Sequence, residues 1–190
     1  MVGSLDVTDT LHWIEPEALP RAVADPRLHT WLSTPGLLTQ RLRAAAGDAF
    51  RFEALREYST AAAHIREVAL RAGTEVWVVG RSTIPLAGLH RAAWLTAVGS
   101  MPIGEALQAR RGSLDRSPFE FCRMPAGHEF VRLAIQIMGI NEPALWVRRS
   151  VFDVDGVHLE VHEAFNPAIG LSGPAARGAA GVSGCAQRHG

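Results

Sequence analysis

The stretch VHLEVHEAF, residues 157–165, places a carboxylate where a buried apolar side chain is expected. Read as a β-strand, it sends every second side chain to one face, so Glu163 lies between Val161 and Phe165. Three of the four residues on that face are large and apolar, which predicts that the face is buried. A carboxylate in such a place needs a partner, and it can serve as a general acid or base.

Three arginines depart from the pattern of their predicted strands in a similar way. Each shares a strand face with two apolar residues: Arg66 with Val68 and Leu70, Arg81 with Trp77 and Val79, and Arg148 with Trp146 and Phe152. An unpaired buried charge costs several kcal/mol, so these groups either bend to solvent, pair with one another or bind a ligand. Several guanidinium groups and one carboxylate on one sheet face indicate a pocket for a small, multiply anionic molecule that carries a hydroxyl group.

Two predicted helix starts are candidates for the same pocket. The first turn of a helix presents free N–H groups and a partial positive charge, which together bind carboxylates. Leu38 lies in the first turn after STPG, and Ile103 lies in the first turn after SM. Both side chains are apolar, so any contact with an anion would come from the backbone N–H groups.

The elements that position these residues predict an α+β domain, an antiparallel sheet flanked by helices. Residues 1–24 are predicted to be an N-terminal extension, 25–167 the domain, and 168–190 a flexible tail rich in glycine, alanine and serine. Helices are predicted within 24–33, 33–47, 86–99, 100–111 and 129–139, and strands within 50–59, 64–85 and 144–165, the last two ranges forming hairpins.

Composition limits the possible functions and locations of the 190-residue chain. Its formal net charge is +0 and its basic residues are scattered, which argues against nucleic-acid binding and attraction to an anionic membrane. The two cysteines, Cys122 and Cys185, are too few for a disulfide framework and indicate a reducing compartment. No signal peptide and no membrane span are predicted, so a cytoplasmic protein is expected.

Five runs of the sequence, in order, resemble the chorismate pyruvate-lyase family, bacterial enzymes that make 4-hydroxybenzoate for ubiquinone synthesis. The runs are LLTQRL (37–42), IREVAL (65–70), VWVVGRSTIPLAGL (76–89), VGSMPIGEAL (98–107) and LWVRRSVFDVDGVHLEVHEAFNP (145–167). The resemblance implies an antiparallel sheet flanked by helices, with the ligand enclosed under flaps. It also implies that chorismate is split into 4-hydroxybenzoate and pyruvate without a metal or organic cofactor, and a monomer is the favoured state.

The resemblance also implies roles for five residues. Arg66 would bind the ring carboxylate, helped by the backbone N–H groups of Leu38 and Ile103. Glu163 would meet the ring hydroxyl and act as general acid or base, and the residues leave that choice open. Arg81 matches another arginine of the family site and would hold the enolpyruvyl side. The chain departs from the family form by a shorter segment at 58–66 and a longer one at 107–145, which affects the lids and the pocket walls.

Two alternative functions compete with this interpretation. The effector domain of GntR-type regulators has a similar fold and binds ligands without transforming them, but the segment before Trp31 is too short for a DNA-binding domain. The second alternative is a metal site at His158, Glu160 and His162, which share one strand face. That face is opposite the apolar one, so a solvated surface is the simpler expectation.

Overall fold

In the part of the chain that the structure describes, six strands form one antiparallel sheet in the order β1-β2-β3-β6-β5-β4. The structure is a computed structural model that describes residues 11–111 and 116–171. The strands are β1 (Phe50–Ser59), β2 (Ala63–Ala72), β3 (Glu75–Pro85), β4 (Glu120–Pro125), β5 (Ala144–Val154) and β6 (Val157–Phe165). Together with the helices, this sheet confirms the predicted α+β class. The short strand β4 has no counterpart in the sequence-based prediction.

Within residues 11–111 and 116–171, the α-helices around the sheet are α1 (Leu19–Ala22), α2 (Pro26–Leu32), α3 (Leu38–Ala46), α4 (Ile103–Arg111) and α5 (Glu129–Met138). Asp25 begins α2 by accepting hydrogen bonds from the N–H groups of Arg27 and Leu28. Gly47 ends α3 with a φ of 55°, a conformation that favours glycine. The helix predicted within 86–99 is a 3₁₀ helix, Leu89–Ala97, with non-helical backbone at Ala92.

Hydrophobic clusters pack on both faces of the sheet. On the near face, α2 and α3 pack against Trp77 and Phe165. On the far face, Phe130 and Val131 of α5 pack against Val79 and neighbouring strand residues. A third cluster joins the 3₁₀ helix to the β5–β6 hairpin. Because both faces are covered, a charged side chain on either face needs a partner.

The register of the strands sorts the charged residues into rows that cross the sheet. On the near face, one row is Arg66–Ser82–Val161–Ser150 and the next is Val68–Gly80–Glu163–Arg148. On the far face, one row is Arg56–Glu67–Arg81–His162–Arg149–Glu120. Chain neighbours in a strand therefore belong to different faces, as the two-residue period requires.

Arg81 does not share a face with Arg66, and this corrects the sequence-based expectation. Arg66 pairs with Ser82 across β2 and β3, so Arg81, one residue earlier, lies on the far face. The register between the two strands also shifts beside Leu70. This shift places Trp77 in the near-face cluster while Val79 packs on the far face, so a shared face with Trp77 is wrong.

Packing extends beyond both predicted ends of the domain. Ile14 forms an isolated β-bridge with Phe121, and Leu19 and Val23 are buried. At the other end, Ile169 is fully buried in the near-face cluster although its surroundings are rich in glycine and alanine. Residues 1–10 of the predicted extension and 172–190 of the predicted tail lie outside the described residues, as does Cys185.

No helix in the described part of the chain is long and apolar enough to cross a membrane.

The ion pairs of Glu67 in the far-face row predict an effect on stability. Glu67 is completely buried between Arg56 and Arg81, so Glu67→Gln leaves the mostly buried Arg81 with only the half-exposed carboxylate of Glu129. We expect the free energy of unfolding to fall by about 3 kcal/mol. As a control, Glu53→Gln removes a carboxylate that is 46% exposed and pairs with Arg71, and should cost less than about 1 kcal/mol. Denaturant unfolding of both variants measures the difference, and equal costs would contradict the argument.

Candidate active site

A cavity on the near face collects most of the residues singled out in the sequence. Its floor is formed by β2, β3, β5 and β6, and its walls by the first turns of α3 and α4 and by residues 116–119. We call it the near-face cavity. Its polar and charged lining residues are Thr39, Arg66, Ser82, Arg116, Arg148, Ser150 and Glu163. Leu38, Arg66, Ile103 and Glu163 of the predicted set lie here together.

Arg66 is a buried cation at the β2 side of the near-face cavity. It is 3% exposed, and its Nη2 donates to the carbonyl groups of Gly99 and Met101, which precede α4. Burial lowers the pKa of Arg66, and the nearby carboxylate of Glu57 only partly opposes this. Its Nε is buried and has no hydrogen-bond partner in the described part of the chain, although Oε2 of Glu57 lies 3.8 Å away, at ion-pair distance. Such an atom is suited to an anionic ligand, because an unpaired buried donor is costly.

Glu163 forms an ion pair with Arg148 on the adjacent strand. The Arg148 Nε lies 2.7 Å from Glu163 Oε2, and the Glu163 side chain is 17% exposed. The Nη1 of Arg148 donates to the carbonyl groups of Leu32 and Thr34, each at 3.0 Å. Arg148 therefore fixes one oxygen of Glu163 and also holds the segment that leads into α3. This arrangement leaves Oε1 of Glu163 as the oxygen that a ligand in the cavity can meet.

The first residues of α3 and α4 both border the cavity. The backbone N–H groups of Leu38 and Ile103 are at the first helical position, where no acceptor exists within the helix. The two helix starts approach closely at Gly104, since a Cβ atom there would lie 2.7 Å from Cδ2 of Leu37. Two free N–H groups and two helix dipoles thus favour an anion between them.

The central strand leaves room above the sheet. Gly80 lies between Val68 and Glu163 in its row, and a Cβ at Gly80 would be 3.1 Å from Cγ2 of Val68. The next lining residue of β3 is the small Ser82, so both residues of this strand in the floor are small. A planar ring can therefore lie close to the backbone of β3, with Arg66 on one side and Glu163 on the other.

Two lining residues, Arg116 and Phe119, are absent from the sequence-based set. Both lie in the segment between α4 and β4, where no periodic pattern marks a face. Arg116 forms an isolated bridge with Phe152 of β5, and its guanidinium carbon is 4.0 Å from the ring centroid of Phe119. The sequence pattern places the charge of Arg148 on the apolar face of its strand, which is the face that lines the cavity. Arg148 is nevertheless absent from the predicted site residues.

Arg81 lies on the opposite side of the sheet from this cavity. Its Nε donates to Glu67 Oε1 at 2.7 Å, and its Nη1 lies 2.7 Å from Glu129 Oε2. Its guanidinium also stacks on Phe130 of α5, 4.9 Å from the ring centroid. These contacts account for its charge within the far-face row, so Arg81 has no access to a ligand in the near-face cavity.

A second hollow, on the far face, contains His162 beside Arg81 and Arg149. His162 is enclosed by the rings of Trp13 and Phe130, so the solvated surface expected for its strand face applies to His158 but not to His162. Burial, followed by the positive charges of Arg149 and Arg81, lowers the pKa of His162 to about 4. Among the described residues, no group of three or more potential ligands is arranged to hold a metal ion.

The geometry of the near-face cavity defines what it can bind. An anionic group fits beside Arg66 and the two helix starts, and a hydroxyl group fits beside Glu163. Arg66 and Glu163 are two strands apart, about 10 Å across the sheet, and the space between them is apolar. This combination suits a six-membered ring that carries a carboxylate and, on the opposite ring carbon, a hydroxyl group.

Comparison with known proteins identifies the family. The family model described as chorismate lyase matches residues 7–169. A relative from Thiobacillus denitrificans, named "probable chorismate pyruvate-lyase", is 36% identical over 168 residues, which cover 80% of this chain and 89% of the relative. A relative of the same name from Coxiella burnetii is 30% identical over 177 residues, 85% and 94% of the two chains. The chain belongs to the chorismate lyase family, as its five sequence runs predicted.

A solved structure aligns with lower similarity than these relatives. The ligand-binding domain of a Bordetella bronchiseptica protein described as a GntR-family regulator aligns with a TM-score of 0.44 and 13% identity. The alignment covers 63% of this chain and 87% of that domain.

The lowered pKa of His162 predicts a loss of stability in acid. The unfolded chain takes up a proton on this imidazole near pH 6.5, whereas the folded chain does so only near pH 4. Stability from His162 is therefore present above pH 6.5 and is lost between pH 6.5 and 4, by about 3 kcal/mol. Unfolding measured against pH should show a flatter profile for His162→Phe than for the wild type. The exposed control, His158→Phe, should leave the profile unchanged.

Proposed function

We propose that this protein is a chorismate pyruvate-lyase that converts chorismate into 4-hydroxybenzoate and pyruvate. The observation that carries the proposal is the convergence of Arg66, Glu163 and two helix starts on one apolar cavity, in a chain of the chorismate lyase family. The proposed roles of Leu38, Arg66, Ile103 and Glu163 follow the sequence-based hypothesis. Arg81 is not included.

In the proposed binding mode, the ring carboxylate of chorismate lies at the Arg66 end. It accepts hydrogen bonds from the Nε of Arg66, which has no hydrogen-bond partner among the described residues, and from the backbone N–H groups of Leu38 and Ile103. The ring then lies over Gly80, where no side chain intervenes. The ring hydroxyl reaches Glu163, and an apolar enclosure strengthens each of these polar contacts.

The proposed reaction is an elimination that makes the ring aromatic. The bond between the ring and the enolpyruvyl oxygen breaks, and the neighbouring hydroxyl-bearing carbon loses its proton, whose electron pair completes the aromatic ring. The released enolate takes up a proton at its methylene carbon and becomes pyruvate. The chain's own residues would orient the substrate and stabilise the charge that develops on the departing oxygen.

Glu163 is proposed to act as the base in this step. Arg148 holds one carboxylate oxygen, so the other is directed to the hydroxyl-bearing carbon and its proton. A carboxylate paired with a guanidinium is an acceptor and not a donor, which favours the base over the acid. In this binding mode the guanidinium of Arg148, held beside Glu163, would lie near the departing oxygen, where positive charge lowers the barrier.

The cellular compartment and the use of the product are part of the same proposal. A chain of neutral net charge with two cysteines suits the cytoplasm, and 4-hydroxybenzoate made there would enter ubiquinone synthesis. The proposed partner is the small-molecule substrate, chorismate, and a monomer is the favoured state.

The direct test is to incubate the purified protein with chorismate and to quantify the released acids. We expect 4-hydroxybenzoate and pyruvate in equal amounts, above the spontaneous breakdown measured without protein. A ligand-sensing domain would instead bind chorismate and leave it intact, which would contradict the proposed function.

The role of Glu163 is tested by Glu163→Gln, which keeps the shape of the side chain but removes the base. We expect kcat to fall by about 100-fold or more, the usual contribution of a positioned base. Glu160→Gln, a change on the same strand but outside the near-face cavity, is the matched control and should leave kcat unchanged. Full turnover by Glu163→Gln would remove this residue from the chemistry.

A further inference from the structure

Arg116 is a cation of the near-face cavity that has no role in the binding mode above. Its Nη1 donates to the carbonyl group of Gly36 at 3.1 Å, and its guanidinium stacks on the ring of Phe119. Glu163, the carboxylate that lines the cavity, forms its ion pair with Arg148 and not with Arg116. Its remaining N–H groups are therefore suited to an anion in the cavity.

The other arginines discussed above already bind other groups or lie elsewhere. Arg66 lies two strands from Glu163, at the end assigned to the ring carboxylate. Arg148 already binds Glu163 and two backbone carbonyl groups. Arg81 is on the far face, paired with two glutamates. Arg116 is thus the cavity arginine best placed to bind a second anionic group.

The position of Arg116 is on the Glu163 side of the cavity. It forms a bridge with Phe152 of β5, and β5 lies beyond β6 when the sheet is followed from Arg66. The guanidinium groups of Arg116 and Arg148 each lie 4.0 Å from the ring centroid of Phe119. Burial and the charge of Arg148 lower the pKa of Arg116, while Glu163 raises it, so all three charges interact.

Chorismate carries its second carboxylate on the enolpyruvyl group, which is attached to the ring carbon next to the hydroxyl-bearing carbon. With the hydroxyl at Glu163, this carboxylate must lie on the same side of the cavity. We infer that Arg116 binds the enolpyruvyl carboxylate and so selects a diacid substrate, an inference that rests on the proposed function. An anion there also relieves the repulsion between Arg116 and Arg148.

Arg116 is expected to bind the substrate but not the product. The product 4-hydroxybenzoate has one carboxylate, which belongs to Arg66, so it makes no use of Arg116. If Arg116 served only to hold the turn before α3, through its hydrogen bond to Gly36, its loss would weaken the binding of both ligands. The reason is that this turn also positions the N–H group of Leu38, which binds the ring carboxylate. Selective loss of diacid binding is therefore the informative result.

The test compares two stable probes by calorimetry: 4-hydroxybenzoate, and the diacid 3-(carboxymethoxy)-4-hydroxybenzoate, which adds a carboxylate on an ether at the enolpyruvyl position. In Arg116→Gln we expect the Kd of the diacid to rise about 10- to 100-fold, as for a lost hydrogen bond to a charged group. The Kd of 4-hydroxybenzoate should stay within about threefold of wild type. The KM for chorismate should rise in parallel with the Kd of the diacid.

Two further variants serve as controls. Arg116→Lys keeps the charge and should restore part of the diacid affinity, which shows that the site is intact. Arg123→Gln removes an exposed arginine of β4 outside the cavity and should change neither Kd. Equal weakening of both probes in Arg116→Gln, or no change in either, would overturn the inference.

Failure of the inference and failure of the proposed function give different results. If the wild type converts chorismate but Arg116→Gln weakens both probes equally, the lyase proposal stands and Arg116 has no diacid role. If the wild type leaves chorismate intact but Arg116→Gln selectively weakens the diacid, Arg116 is a diacid-binding residue of a protein that is not a lyase.

Discussion

The strict alternation of side chains between the two faces of one antiparallel sheet is the constraint on which this structure depends. Four adjacent pairs in the sequence are divided by it: Arg66 and Glu67, Gly80 and Arg81, Arg148 and Arg149, His162 and Glu163. The first, third and last pairs each place one ionisable group in the near-face cavity and the other in the far-face row. The cavity floor and the middle four positions of the far-face row are thus built from the same four strands, β2, β3, β6 and β5, at adjacent residues.

The two faces of the sheet differ in how far their charged side chains are paired. In the far-face row, Arg81 is matched by the carboxylates of Glu67 and Glu129, so its charge is satisfied within the protein. In the near-face cavity, the lining guanidinium groups outnumber the carboxylate of Glu163, and the Nε of Arg66 has no hydrogen-bond partner among the described residues, with Glu57 Oε2 3.8 Å away. Because a buried ion pair contributes little net stability, the excess of positive charge is better explained by an anionic ligand than by folding.

Much of the candidate site could be predicted from the sequence, because it depends on local periodicity. The two-residue period identified Arg66 and Glu163, and helix-start signals identified Leu38 and Ile103. The position of Arg81 could not be predicted, since its face depends on the pairing of Arg66 with Ser82 across two strands. Arg116 lies in an aperiodic segment and Ile169 among small residues, so only tertiary packing reveals that one lines the cavity and the other is buried.

The division of adjacent residues between the faces also limits how the gene can change over evolutionary time. A one-residue insertion or deletion within β2, β3, β5 or β6 would exchange the cavity lining with the charged row beyond that point, and would be eliminated by selection. Changes of length should therefore accumulate outside these strands. The β1–β2 turn and the connection from α4 to β4 lie outside these four strands, and we expect them to tolerate such changes.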